Sequence, residues 1–435
     1  MEHIGMPRCP SVVIIEARTL LSKIRTNVLI LYIVGSFITR CPLSEEHTMA
    51  EPLRVLIVGA GIGGLSTASA LARIGAKVDV IDDKPEISVA GVGFGLRING
   101  LRAVRDIGLL EDVLAIGHPA PGIDNYDADG NLLSTMSYGT QDEGLPGCVT
   151  MSRIAFLELA AKHALDNGCT FRMSTTVADI AQAADTATVS FSTGDQVDYD
   201  LVLGFDGLHS QIRRDYFGEK YAPRPVGGVA WRAGLPNRRK IMQPIICQGY
   251  GGKIMLTPLS EDLMYMVLTV AEEGRPRYDA SRMAEIMHDR AADLTRGSTF
   301  LADALDDVRH AENVAYTPYS TVWVPYPWFR GRVMILGDAA HTMTPYLGSG
   351  AAMSIEDGVV LAQELAKDQS LLDAQLNFMK RRLPRVRAVH ERSVESMLEE
   401  FDSVTEETYR ARIDHLRHDE PIANEYANRL LRMPY

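Results

Sequence analysis

The chain has 435 residues, 46% of them apolar and 23% charged, which are globular proportions and enough for one large or two ordinary domains. A formal charge of −12 excludes a broad basic face for nucleic acid. The five cysteines (Cys9, Cys41, Cys148, Cys169 and Cys247) are scattered, with no C-x-x-C and no nearby His at ligand spacing, so structural zinc and a redox disulfide are disfavoured and a reducing, cytoplasmic setting is expected.

From the N-terminus, the first feature is the apolar run from Asn27 to Ile38, flanked by Arg25 and Arg40. A membrane span needs about 20 residues, so no firm membrane association is expected. A signal-type segment is the alternative, but Cys41-Pro42-Leu43 is a poor cleavage site, and residues 1–48 are read as an extension upstream of Met49 that stands outside the fold.

Arg54 to Val58 reads as a short buried strand running into Gly59-x-Gly61-x-x-Gly64, with Gly63 inside the same turn and a helical pattern from Leu65 to Ile74. The first glycine permits the tight turn, the second lets backbone approach a pyrophosphate, and the third lets helix pack on strand. A second strand, Lys77 to Ile81, ends at Asp82, close to the spacing of about 20 residues expected for a carboxylate on a ribose hydroxyl. Strand, glycines, helix, strand and acid together point to an adenine dinucleotide without choosing between FAD and NAD(P).

Gly122 to Met136 reads as a hairpin. Asp200 to Gly204 is another apolar strand, followed by Asp206, Gly207, Ser210 and Arg213. On spacing alone this is a turn and a helix cap, with ribose or pyrophosphate contact as the alternative. The pattern then becomes a meander. Strands are expected at 227–234, 244–250, 253–258 and 263–269, with turns at Gly251-Gly252 and 260–262. In the last strand Met264, Met266 and Leu268 alternate with Tyr265, Val267 and Thr269. One face could roof a ligand cavity, or it could pack on the helix expected from Ser281 to Leu294.

Near the end, the apolar stretch before Gly337-Asp338 reads as a strand stopping at an acid, and the small residues after it as a helix starting. Such a junction offers free backbone N–H groups to a ligand. Beyond Leu361 the chain reads as helices, and the Lys and Arg cluster around 380–387 reads as a solvated helix face. There is no internal repeat.

The segments GAGIGG, GFDGLHSQIR and GDAAHTMTPYLGSG, in this order, make the chain from about Leu53 to Val389 resemble the class A flavoprotein monooxygenases, the p-hydroxybenzoate, salicylate and urate hydroxylase group. The resemblance implies an α/β architecture: a Rossmann-like FAD-binding domain, an inserted, mainly antiparallel β-sheet substrate domain, and a C-terminal helical region. It implies that residues 53–121, 150–222 and 325–368 form the first, 122–149 and 223–324 the second, with the 122–136 hairpin joining the sheet, and 369–435 the third.

It further implies that Gly59, Gly61, Gly63, Gly64 and Asp82 hold the ADP part of FAD. Asp206, Gly207, Ser210 and Arg213 would serve the pyrophosphate and passing NAD(P)H. Asp338 would accept from the ribityl chain, with Ala339 beside it, and the loop from Pro345 through Gly348, Gly350 and Ala351 would lie beside the isoalloxazine. Arg153, opening a helix, would meet phosphate or ribityl oxygens, with a merely exposed helix-start arginine as the alternative. Arg97, in the segment from Gly91 to Val104 that passes under the flavin, would face the active site together with Pro345. Arg232 and Tyr265, on the expected strands of the meander, are candidates for polar contacts with substrate, with a surface salt bridge as the alternative for Arg232. The sequence departs from the family's habit at Asp83, where an arginine is common, at Ser349, where a glutamine is common, and at Ile98, where a proline is common.

The activity implied is hydroxylation of a small, aromatic or heteroaromatic substrate with NAD(P)H and O₂ through a C4a-hydroperoxyflavin, with no metal. NAD(P)H would bind only in transit, because there is one glycine fingerprint. A homodimer is compatible with this reading. A flavin oxidase or epoxidase on the same fold is the alternative, and a non-catalytic scaffold is opposed by the presence of Asp338. No catalytic triad or paired carboxylates emerge, which fits chemistry carried by a cofactor.

Overall fold

The computed structural model describes residues 52–87, 92–138, 144–272, 274, 276–418 and 420–435, with 420–424 given for backbone only. The expected upstream extension at 1–48 and Gly91 lie outside the described residues.

The apolar strand Arg54–Val58 lies between two parallel neighbours, Lys77–Ile81 on one side and Leu201–Gly204 on the other. Thr170–Arg172 and Val333–Ile335 extend the sheet in parallel, and Phe329–Arg330 closes one edge antiparallel. Val55, Leu56, Ile57, Leu201, Val202 and Leu203 are all fully buried, as strands covered on both faces require. The covering layers include the helices Ile62–Arg73 and Gly350–Leu365, whose small residues let them pack closely; a Cβ at Gly358 would reach Thr67 Oγ1 at 2.2 Å. Because the chain runs from Arg54–Val58 to Lys77–Ile81 on one side and later returns to pair Leu201–Gly204 on the other, the carboxyl end of Arg54–Val58 is the switch point at which open α/β sheets bind ligands.

A second sheet has seven strands in the spatial order Val314–Thr321, Arg224–Pro236, Leu263–Ala271, Gly252–Pro258, Ile245–Gly249, Gly122–Tyr126 and Leu132–Ser137. The four expected central strands are present, and the early hairpin joins them through a parallel pairing of Gly122–Tyr126 with Ile245–Gly249. The strand Val314–Thr321, whose alternation is broken by Pro318, went unread in the sequence. So did a small antiparallel sheet of Gly93–Arg97, Cys148–Ser152 and His118–Pro119, and the meander of Val177–Gln182, Ala187–Phe191 and Gln196–Tyr199.

The two faces of the seven-stranded sheet divide the labour that the alternation left open. Trp231, Met264, Met266 and Leu268 form a core with Met287, Ala291 and Leu294 of the helix Met283–Leu294. Burial of side chains of this size is worth about 1.5–3 kcal/mol each. The opposite face carries Ala230, Tyr265 and Val267, which pack with Tyr319 and Met397. This face looks toward the first sheet's ligand end, through the last turns of the long helix Leu371–Phe401 and the short turn Pro345–Leu347. Two further helices, Glu406–His418 and Glu420–Arg432, complete the C-terminal region. Among the described residues, no helix is long and apolar enough to cross a membrane.

Candidate active site

The glycine turn after the first strand separates into open and packed positions. Gly59 has φ +114°, and a Cβ there would strike the Phe205 carbonyl oxygen at 2.4 Å, so only glycine permits the reversal. Gly64 faces the Gly59 carbonyl, where a Cβ would sit at 1.9 Å, and Gly63 faces Phe205 and Ser354 at 2.8 and 2.9 Å. Gly64 is needed for close packing of helix on turn, and Gly63 for packing of the helix against Phe205 and the helix Gly350–Leu365. Gly61 is different: a Cβ would meet nothing within 4 Å. Its surroundings are open on the side where the first turn of Ile62–Arg73 presents backbone N–H groups, which is the geometry of a phosphate cradle.

At the end of the second strand Asp82 is held in place by its own neighbourhood. Its Oδ2 accepts from Ala60 N at 2.8 Å and its Oδ1 from Lys84 N at 3.0 Å. The carboxylate thus fastens the second strand to the glycine turn, with remaining lone pairs for a sugar hydroxyl. The Asp83 carboxyl, hydrogen-bonded to Asp82 and crowded by its charge, is raised above the usual carboxylate range.

The acid of the next motif has one spare oxygen. Asp206 Oδ2 accepts from Ile212 N at 2.9 Å, whereas buried Oδ1 has no hydrogen-bond partner, and burial raises the carboxyl. Gly207 turns the chain at φ +74° with open space around it. Ser210 caps the helix Gln211–Phe217 through Arg213 N at 2.8 Å. The Arg213 guanidinium is directed inward, donating to the carbonyls of Ala339 at 3.0 Å and Leu208 at 2.7 Å. It ties this motif to the next.

Gly337 enters that next motif at φ +56°, with a Cβ blocked by Ser354 Oγ at 2.7 Å. Below it lies a fully buried charge network. Asp357 Oδ2 accepts from Gly337 N at 3.0 Å and pairs with His341 Nε2 at 2.7 Å, and its Oδ1 takes Arg382 Nε at 2.8 Å. Glu356 collects Arg382 Nη1 at 2.5 Å, Arg385 Nε at 2.7 Å and Asn99 Nδ2 at 2.9 Å. Despite burial, these cations hold both carboxyls below their ordinary range. The basic cluster of the long helix was expected to be a solvated face; instead Arg382 and Arg385 are 0% and 7% exposed. The correction has a plain cause: the acids that neutralise them lie on a different helix.

Asp338 faces the other way. Its side chain is open to solvent, yet enough protein surrounds it for burial to raise its carboxyl, as for a group on the wall of a cleft. Its carboxylate has no hydrogen-bond partner among the described residues, and the nearby charges are Arg153 and His341. Arg153 heads the helix Arg153–Asp166, its Nε is buried without a partner, and burial lowers its guanidinium against the pull of Asp338. Arg232, projecting from the second sheet, adds its own positive charge there and borders Tyr265 and Tyr319, whose phenols burial raises.

The structure therefore brings Arg153, Asp338, Arg232 and Tyr265 to one cleft. The exposed Pro345 and Gly348 and half-buried Gly350 and Ala351 edge it at the start of Gly350–Leu365. Ala339 is buried behind them. Arg97 is 9% exposed; it binds the Asn428 side chain and lies over the Tyr138 ring at 4.8 Å. Its neighbour Cys148, buried, is pushed up to about 12. Arg97 thus meets the cleft through Tyr138 and Cys148, which border Tyr265, rather than as a bare cation.

An extended dinucleotide with a ribityl arm fits this arrangement. There is open backbone at Gly61, a carboxylate with spare lone pairs at Asp82, and an unpaired acid and an unpaired guanidinium at Asp338 and Arg153. Among the described residues no group of three or more side chains could hold a metal.

A glycine-turn parallel sheet with an antiparallel sheet closing over its ligand end defines a flavoprotein hydroxylase fold. The chain belongs to the FAD binding domain family, which matches residues 52–393, and it is an FAD-dependent monooxygenase. It is 30% identical over 343 residues to YetM of Bacillus subtilis (strain 168), a protein named among the FAD-dependent monooxygenases, with 78% of this chain and 92% of that one covered. An FAD-dependent urate hydroxylase of Mycolicibacterium vanbaalenii is 28% identical over 319 residues, covering 71% of this chain and 78% of that one. In fold, the chain matches Klebsiella pneumoniae HpxO, solved with FAD and uric acid, at a TM-score of 0.78 and 22% identity, over 89% of this chain and all (100%) of that one.

Proposed function

We propose that this enzyme uses NAD(P)H and O₂ to hydroxylate a small aromatic or heteroaromatic molecule held between the Tyr265 face of the antiparallel sheet and the Pro345–Gly350 loop. The observation that carries this reading is the unpaired Asp338 carboxylate, set in a cleft between Arg153 and the sheet residues Arg232 and Tyr265. FAD held by these residues would supply the redox and oxygen-activating chemistry.

The chain's own residues bind, orient and exclude water. Gly61 and the helix behind it receive the pyrophosphate, Asp82 a ribose hydroxyl, and Asp206 Oδ1 a further donor. Asp338 accepts from the ribityl hydroxyls, and Arg153 donates to phosphate or ribityl oxygens. Arg232 and Tyr265 are the polar contacts for substrate. The apolar side chains Leu259, Val267 and Met397 keep that side of the cleft dry, which limits the loss of activated oxygen as peroxide. NAD(P)H binds only transiently. The domain limits suggested by the family order and a cytoplasmic setting belong to the same reading; Cys148, Cys169 and Cys247 are free and buried.

The test is NAD(P)H consumption over a panel of phenols and hydroxylated heterocycles, scored for hydroxylated product against peroxide. Product matching NAD(P)H consumed for at least one compound supports the reading, and peroxide alone throughout favours an oxidase.

A further inference from the structure

One charged cluster on the sheet's cleft face lies outside the residues assigned above to FAD or substrate. Tyr346 stands in the turn Pro345–Leu347, within the loop assigned to the flavin side, and packs against the wall formed by Tyr265, Val267 and Tyr319. Its hydroxyl donates to Glu400 Oε1 at 2.6 Å. The other oxygen of that carboxylate takes Lys253 Nζ at 2.7 Å. Lys253 Nζ also lies 3.9 Å from the centroid of the Tyr346 ring, so the three groups close on one another. The Glu400 side chain is 1% exposed and that of Lys253 18%. Glu400 ends the long C-terminal helix and lies beyond residue 393, where the family match stops.

A buried ion pair is weak evidence for stability, because desolvating both charges offsets much of their attraction. Its consequence for hydrogen bonding is firmer. A phenol carries one proton, and here that proton is committed to the Glu400 carboxylate, whose other oxygen is taken by Lys253. Burial and the Glu400 charge hold the Tyr346 phenol well above its ordinary value, with Arg412 acting weakly the other way, so the proton stays on its oxygen. Only lone pairs of Tyr346 Oη remain for a ligand. Tyr346 is half-buried and packs beside Tyr265 and Val267, on the sheet face assigned to the substrate.

We propose that Tyr346 is a specificity residue that accepts a hydrogen bond from the substrate, that Glu400 is the positioning residue fixing this polarity, and that the substrate bears a hydroxyl or ring N–H directed at it. The proposal rests on the hydroxylase reading, because it takes the Pro345–Gly350 loop as a wall of the substrate site. A methyl ether in place of the donor leaves the acceptor desolvated and unpaired, which sites built for a donor reject strongly.

The test titrates the full-length holoenzyme with phenol, 2-naphthol and 4-hydroxyquinoline, each against its methyl ether, reading binding from the perturbed flavin absorbance, without turnover. A hydroxy compound is expected to bind about tenfold or more tighter than its ether. Tyr346→Phe should bring that ratio within about threefold at unchanged flavin content. Glu400→Gln should do the same without touching the phenol. Because that change strands Lys253, the double variant Lys253→Met, Glu400→Gln is measured beside it. Ratios near one in the unaltered enzyme, a ratio that survives Tyr346→Phe, variants that lower only the thermal midpoint, or failure of every probe to bind would each overturn the proposal. Failure of the hydroxylase reading is distinguishable, since discrimination would persist while no hydroxylated product forms.

Discussion

Arg382 and Asp357 meet through a 2.8 Å hydrogen bond with both side chains 0% exposed, and the same carboxylate holds the Gly337 amide and His341. The turn at Gly337 that leads into the Pro345–Gly350 loop is thus suspended from a buried counterion on the helix Leu371–Phe401.

Breaking one partner of such a pair leaves an uncompensated charge, which costs about 3–5 kcal/mol. Arg382→Met is expected to lose that much by denaturant unfolding. A loss under about 1 kcal/mol would show that the network adds little to the fold.

The glycine turn gives a sharper contrast. Gly64→Ala places a methyl 1.9 Å from the Gly59 carbonyl and should give little folded protein, whereas Gly61→Ala meets nothing within 4 Å. The Gly61 variant should fold with an unchanged melting temperature and bind FAD about tenfold or more weakly, since its methyl occupies the space of the pyrophosphate. Equal FAD affinity in Gly61→Ala would remove that residue from the cradle.

His390 provides a pH test. Burial, reinforced by nearby His341, depresses its imidazole from 6.5 to about 4. A base whose folded value is depressed is protonated first in the unfolded chain, so stability is full above 6.5 and falls as pH drops from there toward about 4. The loss attributable to this ring is on the order of 3 kcal/mol, and His390→Phe, which keeps a ring beside Trp323, should flatten that part of the profile. A profile unchanged by the substitution would assign the acid sensitivity to other groups.

Much of this was legible in sequence because it rests on short-range rules. The turn at Gly59 to Gly64, the acid at Asp82 and the alternation through Met264 to Thr269 follow from backbone sterics and strand periodicity. Alternation could not say which face met the helix. That depended on Met287 and Ala291, which lie about 20 residues farther along. The buried role of Arg382 was hidden for the same reason, since an arginine in a basic run looks solvated until the acids of Gly350–Leu365 are packed against it. Glu400 carried no signal at all. It is one acid in "LEEF", and only the tertiary fold brings it to Tyr346 and Lys253.

The central claim is that Asp338 holds FAD inside this cleft. The most direct measurement is the flavin-to-protein ratio of the purified enzyme and of Asp338→Ala, with FAD affinity determined by fluorescence quenching on reconstitution. The unaltered enzyme is expected to be yellow with one flavin per chain, and the variant to fold but bind FAD about 10- to 100-fold more weakly, the loss of a charge-assisted hydrogen bond. A variant retaining stoichiometric FAD at unchanged affinity would contradict it.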